Sequence, residues 1–194
     1  MILKFIFMTL FYSVIALNIL QSSPVSAQQA GSVKKVLSIG DEAPKLVLRD
    51  LSGEYIYLRD YSGKKLRQAW RKREKHVVVL SFFATYCEPC KIEIPILDRI
   101  AAKFTEEPLK IYLVDLNEKE DLVVPFIDSL DVSIPVLMDL YGVVAEKYGV
   151  AALPQTFLID KEGTIRYLSR GLKDAEKFRS SIINNIEIWL NVEN

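Results

Sequence analysis

The sequence predicts an α/β fold in which helices cover both faces of a mixed central β-sheet. Largely apolar runs at residues 76–83 and 109–116 are typical of buried strands. The segment that follows the first run has helical spacing of apolar residues, with Ile92, Ile96 and Ile100 four apart. A hairpin pattern and a last amphipathic segment then close the chain.

The composition supports one folded domain and excludes a disordered chain. Half of the 194 residues are hydrophobic, which is enough for a substantial core. The formal net charge is zero, so the total charge gives no indication of binding to nucleic acid or to an anionic membrane.

The N-terminal segment, residues 1–27, is predicted to be a secretory signal peptide. Lys4 is its only charged residue, an apolar run covers residues 5–20, and Val25-Ser26-Ala27 places small residues where a signal peptidase cleaves. The alternative is an uncleaved membrane tether, although the run is shorter than the roughly 20 residues of a spanning helix. Either reading places the protein outside the cytoplasm, in the periplasm or on the outer side of the membrane.

Residues 28–38 are predicted to be a flexible lead-in and residues 39–194 the folded domain. The domain opens with two short segments of alternating polarity, residues 45–49 and 54–59, which the turn signal Ser52-Gly53 joins into a hairpin. Further strands are predicted at residues 135–138, 156–160 and 164–168. Helices are predicted at residues 88–104, 118–130, 140–148 and 173–190.

A basic segment, residues 62–75, precedes the first buried strand. It contains seven lysines and arginines and one acid, Glu74. Such a run usually forms a solvated loop or helix face, and a docking surface for a partner is the alternative.

The two cysteines of the chain, Cys87 and Cys90, stand between a predicted strand and a predicted helix. Unpaired N–H groups at a helix start favour a thiolate, which is the reactive form of cysteine. Cys87 is therefore predicted to be the nucleophile, and Cys90, one turn further on, the more buried resolving thiol. A merely structural disulfide is the alternative, but so short a loop would stabilise the fold little.

The surrounding residues resemble the active-site segment of the thioredoxin superfamily, and more narrowly the TlpA/ResA-like extracytoplasmic thioredoxins. The resemblance rests on the segment from Phe82 to Cys90 with Glu93 and Pro95, on Gly40-Asp41-Glu42-Ala43-Pro44, and on Leu153-Pro154-Gln155-Thr156-Phe157. It implies a thioredoxin-like fold with an N-terminal β-hairpin and a central insertion. It also implies a thiol-disulfide oxidoreductase whose only redox group is the Cys87–Cys90 dithiol.

The resemblance assigns roles to further residues. Glu93 is expected to be a partly buried carboxylate that accepts the proton of Cys90, and an exposed helix glutamate without a role is the alternative. Pro154 is expected to follow a cis peptide bond opposite the cysteines, where the backbone of Leu153 would pair with a partner peptide. The remaining residues expected to contact the substrate flank the cysteines: Tyr86, Glu88 and Pro89.

The direction of electron flow is predicted from Glu88. A carboxylate next to Cys87 raises the pKa of the thiol, which favours a reductant over an oxidant. The expected partners are protein disulfides, with apocytochrome c as the leading substrate that the resemblance suggests, and a membrane thiol-disulfide electron donor.

Two other functions are known for the same fold and are alternatives to a thiol-disulfide oxidoreductase. A thiol peroxidase would need a threonine and a proline where the chain has Ala84 and Leu80. A copper carrier would need a CxxxC pair and a downstream histidine, whereas the single histidine, His76, lies upstream. No metal site is predicted.

Overall fold

The computed structural model describes residues 36–71 and 73–192. The predicted signal peptide and most of the predicted lead-in therefore lie outside the described residues. Leu37, assigned above to the flexible lead-in, is buried, and its carbonyl accepts a hydrogen bond of 3.0 Å from the Arg170 guanidinium. The folded domain thus begins earlier than residue 39. No helix in the described ranges is long and apolar enough to cross a membrane.

Seven strands form one mixed sheet in the described part of the chain. They are β1 (Val47–Asp50), β2 (Tyr55–Tyr57), β3 (Val77–Phe83), β4 (Leu109–Leu116), β5 (Val136–Asp139), β6 (Gln155–Ile159) and β7 (Ile165–Arg170). Their order across the sheet is β2-β1-β5-β4-β3-β6-β7. The three central strands β3, β4 and β5 are parallel, and the hairpins β1–β2 and β6–β7 join the two edges in antiparallel register. The predicted mixed sheet and N-terminal hairpin are confirmed.

The helices are α1 (Glu88–Lys103), α2 (Glu120–Leu130), α3 (Val143–Lys147) and α4 (Ala175–Asn191). The prediction for residues 140–148 was too long. Leu140, Tyr141 and Gly142 form a turn after β5, closed by a 2.8 Å hydrogen bond from the Gly142 N–H to the Asp139 carbonyl. Gly142 has a φ of 65°, a left-handed conformation that ends the turn and lets the helix start only at Val143.

Two hydrophobic layers enclose the sheet. Alternate residues of β3, such as Val79 and Phe83, pack beneath α1, α2 and α4. Leu80 and Phe82 instead pack with α3 and with the segment around the β1–β2 hairpin. Every residue of β3 is consequently buried, which explains why all of them except Ser81 are apolar.

The central strand β3 positions the cysteines. β3 ends at Phe83 and α1 begins at Glu88, so Cys87 stands at the carboxyl end of a strand and the amino end of a helix. β6 runs antiparallel beside β3 with Gln155 opposite Phe82, and this register brings Pro154 to the same edge of the sheet.

Candidate active site

Cys87 and Cys90 form a disulfide with an S–S distance of 2.04 Å. Cys87 is the N-cap residue of α1, and its sulfur accepts a hydrogen bond of 3.3 Å from the Cys90 N–H. The Cys87 residue is 7% exposed and Cys90 is fully buried. Cys87 is thus the only one of the two cysteines with any exposed surface, which is the asymmetry expected of a nucleophile and a resolving thiol.

The peptide bond between Leu153 and Pro154 is cis, as the resemblance implied. The Pro154 carbonyl is fixed by a hydrogen bond of 2.7 Å from the Gly171 N–H. The backbone of half-buried Leu153 makes no backbone hydrogen bond to the described residues. An extended peptide beside the disulfide could therefore pair with Leu153 without displacing an existing partner.

Glu93 lies one helical turn after Cys90 and is fully buried between α1 and the sheet. Its Oε1 atom accepts hydrogen bonds from the Ser81 hydroxyl at 2.8 Å and the Thr156 hydroxyl at 2.5 Å, and its Oε2 atom has no partner. Burial raises the pKa of Glu93 to about 7, although the hydroxyls of Thr156 and Ser81 oppose the shift by stabilising the charged form. A carboxyl group with this pKa can give and take a proton near neutral pH.

The flanking residues Tyr86, Glu88 and Pro89 surround the disulfide on the surface. All three are exposed, Tyr86 at 72%. Glu88 forms an ion pair of 2.6 Å with Lys91. Because this ammonium group opposes the charge of Glu88, the effect of Glu88 on Cys87 is weaker than its sequence position suggested.

A pair of acidic residues that was not predicted from the sequence supports the loop before Cys87. The carboxylate of Glu118 accepts hydrogen bonds from the Thr85 N–H at 2.6 Å and the Thr85 hydroxyl at 2.7 Å. Behind it, buried Asp115 accepts the Glu118 N–H at 3.1 Å, and burial raises the pKa of Asp115. Glu118 and Asp115 are both located at or just after the end of β4, whose neighbour β3 leads into this loop. Only that parallel pairing could have suggested their role.

We expect Glu118→Ala to lower the free energy of unfolding by about 1–3 kcal/mol, because it removes two charge-assisted hydrogen bonds from a part-buried backbone. It should also slow disulfide exchange by loosening residues 84–87. Denaturant unfolding and exchange rates would measure both effects. Glu106→Ala, a change of the same type at an exposed turn, is the control and should alter neither; equal behaviour of the two variants would contradict a supporting role for Glu118.

The described residues contain no group of three or more His, Cys, Asp or Glu side chains that could hold a metal ion. The chemistry that the geometry does provide is a disulfide with one reachable sulfur, a titratable carboxyl group behind it and a free backbone edge beside it.

Comparison with known proteins agrees with this geometry. The model of the AhpC/TSA family matches residues 39–168. The thiol-disulfide oxidoreductase ResA of Bacillus cereus is 34% identical over 146 residues, which cover 75% of this chain and 78% of that protein. A protein from Chlorobium tepidum, provisionally assigned as the thiol:disulfide interchange protein DsbE, is similar in structure. Its TM-score is 0.68 at 26% identity, and the match covers 80% of this chain and 99% of that one.

The fold and the cysteine pair define a thiol-disulfide oxidoreductase with a thioredoxin-like fold. The chain belongs to the AhpC/TSA family, as a TlpA/ResA-like member of the thioredoxin superfamily. Enzymes of this class act on protein substrates and exchange electrons with redox partners.

Proposed function

We propose that the protein reduces protein disulfides outside the cytoplasm, with Cys87 as the nucleophile, Cys90 as the resolving thiol and Glu93 as the proton acceptor of Cys90. The observation that carries the proposal is the buried Glu93 carboxyl group one turn from buried Cys90, on the inner face of α1. One oxygen of the group accepts hydrogen bonds from Ser81 and Thr156, and the other has no partner among the described residues, so it is available to a proton.

The proposed reaction transfers two electrons to the partner. The Cys87 thiolate attacks a partner disulfide, forms a mixed disulfide and expels one partner sulfur as a thiolate, which takes a proton from solvent. Cys90 then loses its proton to the Glu93 carboxylate and attacks the Cys87 sulfur. The second partner sulfur leaves, and the Cys87–Cys90 disulfide forms. A membrane thiol-disulfide donor would return the protein to its dithiol form.

Substrate contact is proposed at the exposed ring of residues around Cys87. An extended partner segment would add its backbone to that of Leu153, next to Pro154, and its side chains would contact Tyr86, Glu88 and Pro89. This arrangement places a partner disulfide beside the one sulfur that is reachable.

The reducing direction follows from the surroundings of the thiols. The buried carboxyl group of Glu93 disfavours a second negative charge on Cys90, and the exposed carboxylate of Glu88 has a weaker effect of the same sign on Cys87. Strong oxidants of this class instead stabilise their reduced thiolate.

We therefore expect the Cys87–Cys90 couple to have a reduction potential nearer to about −270 mV, as in thioredoxin, than to about −120 mV, as in the oxidant DsbA. Equilibration with dithiothreitol and glutathione buffers, followed by alkylation of free thiols, measures it. A value at the oxidising end of this range would contradict the reductant assignment while leaving the exchange chemistry intact.

Apocytochrome c is the leading candidate substrate that the resemblance to the TlpA/ResA-like thioredoxins suggests, and its haem-attachment motif CxxCH can form a disulfide. The test is reduction of an oxidised CxxCH peptide, compared with a peptide of equal length in which the histidine is replaced. Faster reduction of the CxxCH peptide supports this substrate. A broader role in envelope thiol maintenance would show equal rates, and mixed disulfides trapped by Cys90→Ser would then identify the partners.

Export is proposed from residues 1–27. The pattern of one lysine, an apolar run and small residues before position 28 is that of a signal peptide. Mass determination of the chain recovered from the cell envelope distinguishes cleavage after Ala27 from an uncleaved tether.

A further inference from the structure

The basic segment, residues 62–75, takes no part in the redox site. Hydrogen bonds hold both ends of the segment near the amino end of β3. The Ser62 hydroxyl donates to the carbonyl of Asp160, which follows β6, at 2.6 Å. The N–H of His76, the residue before β3, donates to the Tyr61 carbonyl at 2.8 Å. Cys87 follows the opposite end of β3. A strand of this length spans roughly 20 Å, so the basic segment and the disulfide lie at opposite ends of the sheet.

Part of the positive charge of the segment is left without a counter-charge. Arg67 forms an ion pair of 2.7 Å with buried Asp60, and Lys75 pairs with Glu162. Lys65, Arg71 and Arg73 are all exposed, and none of them forms an ion pair within the described residues. The chain is neutral overall, so any attraction to an anionic surface is local to this segment.

An exposed tryptophan lies among these cations in the sequence. Trp70 is 77% exposed and lies in the short 3₁₀ turn Ala69–Arg71. The segment is held from beneath by buried Leu66 and by the Arg67–Asp60 pair, so Trp70 is presented outward from an anchored base. An indole ring with lysine and arginine around it is the combination found at membrane–water interfaces, where the ring lies at headgroup depth and the cations contact phosphate.

We propose that this surface, made of Trp70, Lys65, Arg71 and Arg73, docks the protein on an anionic phospholipid membrane. A fluid lipid surface accommodates one projecting indole without a matching pocket, which is why a membrane fits better than an acidic protein. Docking through this end of the sheet turns the Cys87–Cys90 disulfide away from the bilayer, towards partners in the surrounding compartment. The proposal does not depend on the reducing direction or on the identity of the substrate.

The test measures binding of the full chain to vesicles, so that any contribution of the N-terminal residues is common to all variants. Phosphatidylcholine vesicles with about 30% phosphatidylglycerol are compared with phosphatidylcholine alone by co-sedimentation. Replacing Trp70 by Ala should weaken binding about ten-fold. The triple change Lys65→Gln, Arg71→Gln and Arg73→Gln should weaken it about a hundred-fold, since each cation contributes about five-fold. The matched control Lys147→Gln, Lys173→Gln and Lys177→Gln removes equal charge from other exposed positions and should bind like the unaltered chain.

A second readout reports on the tryptophan itself. In a Trp189→Phe background, Trp70 is the only tryptophan of the chain, and its emission should shift to the blue with anionic vesicles and return with about 0.5 M salt. Unchanged exchange rates with a soluble disulfide would show that the variants are folded. The proposal is overturned if the full chain ignores anionic vesicles, if Trp70→Ala and the triple variant bind as well as the control, or if the patch captures acidic proteins but not lipid.

Discussion

Replacing Cys87 by Ser is expected to reduce disulfide exchange to the uncatalysed rate, a loss of more than about 1,000-fold. Cys87 supplies the one sulfur that a partner can reach, because Cys90 is fully buried beneath it. A serine hydroxyl at this position is not ionised near neutral pH and cannot form the mixed disulfide. Reduction of a fluorescent disulfide peptide, with the protein kept reduced by excess dithiol, would measure the loss against the background of the dithiol alone.

Cys90→Ser is the matched control, because both variants lose the same disulfide and the same number of sulfur atoms. In this variant Cys87 still attacks, but no thiol is left to release the partner, so a covalent mixed disulfide should accumulate. Gel mobility without reductant would show this adduct with Cys90→Ser and not with Cys87→Ser. Residual turnover in the Cys87 variant, or adducts formed by it, would contradict the assignment of the nucleophile.

The parts of the fold that the sequence predicted best are those in which local pattern and tertiary environment agree. Residues 77–83 are apolar except for Ser81 because both faces of β3 are covered, so the pattern directly reports the burial. The helical rhythm of residues 88–104 likewise matches α1 to within one residue. The turn at residues 140–142 was missed because its apolar residues, Leu140 and Tyr141, look like the start of a helix although both are exposed.

The residues of the site also differ in how well the sequence alone predicted them. Cys87 and Cys90 are recognisable from their spacing, since one turn of a helix is sufficient to bring them together. The contact of Glu118 with Thr85 joins residues that are distant in sequence, and only the parallel pairing of β3 with β4 brings them together. The hydroxyls around Glu93 belong to two strands, with Ser81 opposite Thr156 in register. A pattern within one segment of the sequence does not indicate which residues of two strands lie opposite each other.

Glu93→Gln is expected to slow exchange by about 100-fold at neutral pH, because it removes the proton acceptor that we assign to Cys90. Glutamine has nearly the same shape, and its side-chain oxygen can accept the hydrogen bonds that Ser81 and Thr156 donate to the carboxylate. The pH profile should distinguish the proton-transfer role from a structural one. With glutamate, the rate should rise through the pKa of about 7 as the carboxylate forms, and with glutamine this inflection should disappear. An unchanged profile would leave Glu93 without a part in proton transfer.

Glu93→Gln should also change how the free energy of unfolding depends on pH, and the direction of the pKa shift fixes the sign of this change. Burial raises the pKa of Glu93 from 4.5 to about 7, so the folded protein holds this proton between those pH values while the unfolded chain has lost it. The stability associated with the protonated group is fully present below pH 4.5 and is lost as pH rises through 7. Above pH 7 the loss approaches roughly 3 kcal/mol. Relative to the unaltered protein, Glu93→Gln should therefore become more stable by up to this amount between pH 4 and pH 8 in denaturant unfolding, whereas Glu106→Gln, at an exposed turn, should show no such change. A difference that stays constant across this pH range would mean that Glu93 is not held protonated by its burial, and would remove the physical basis of its assigned role.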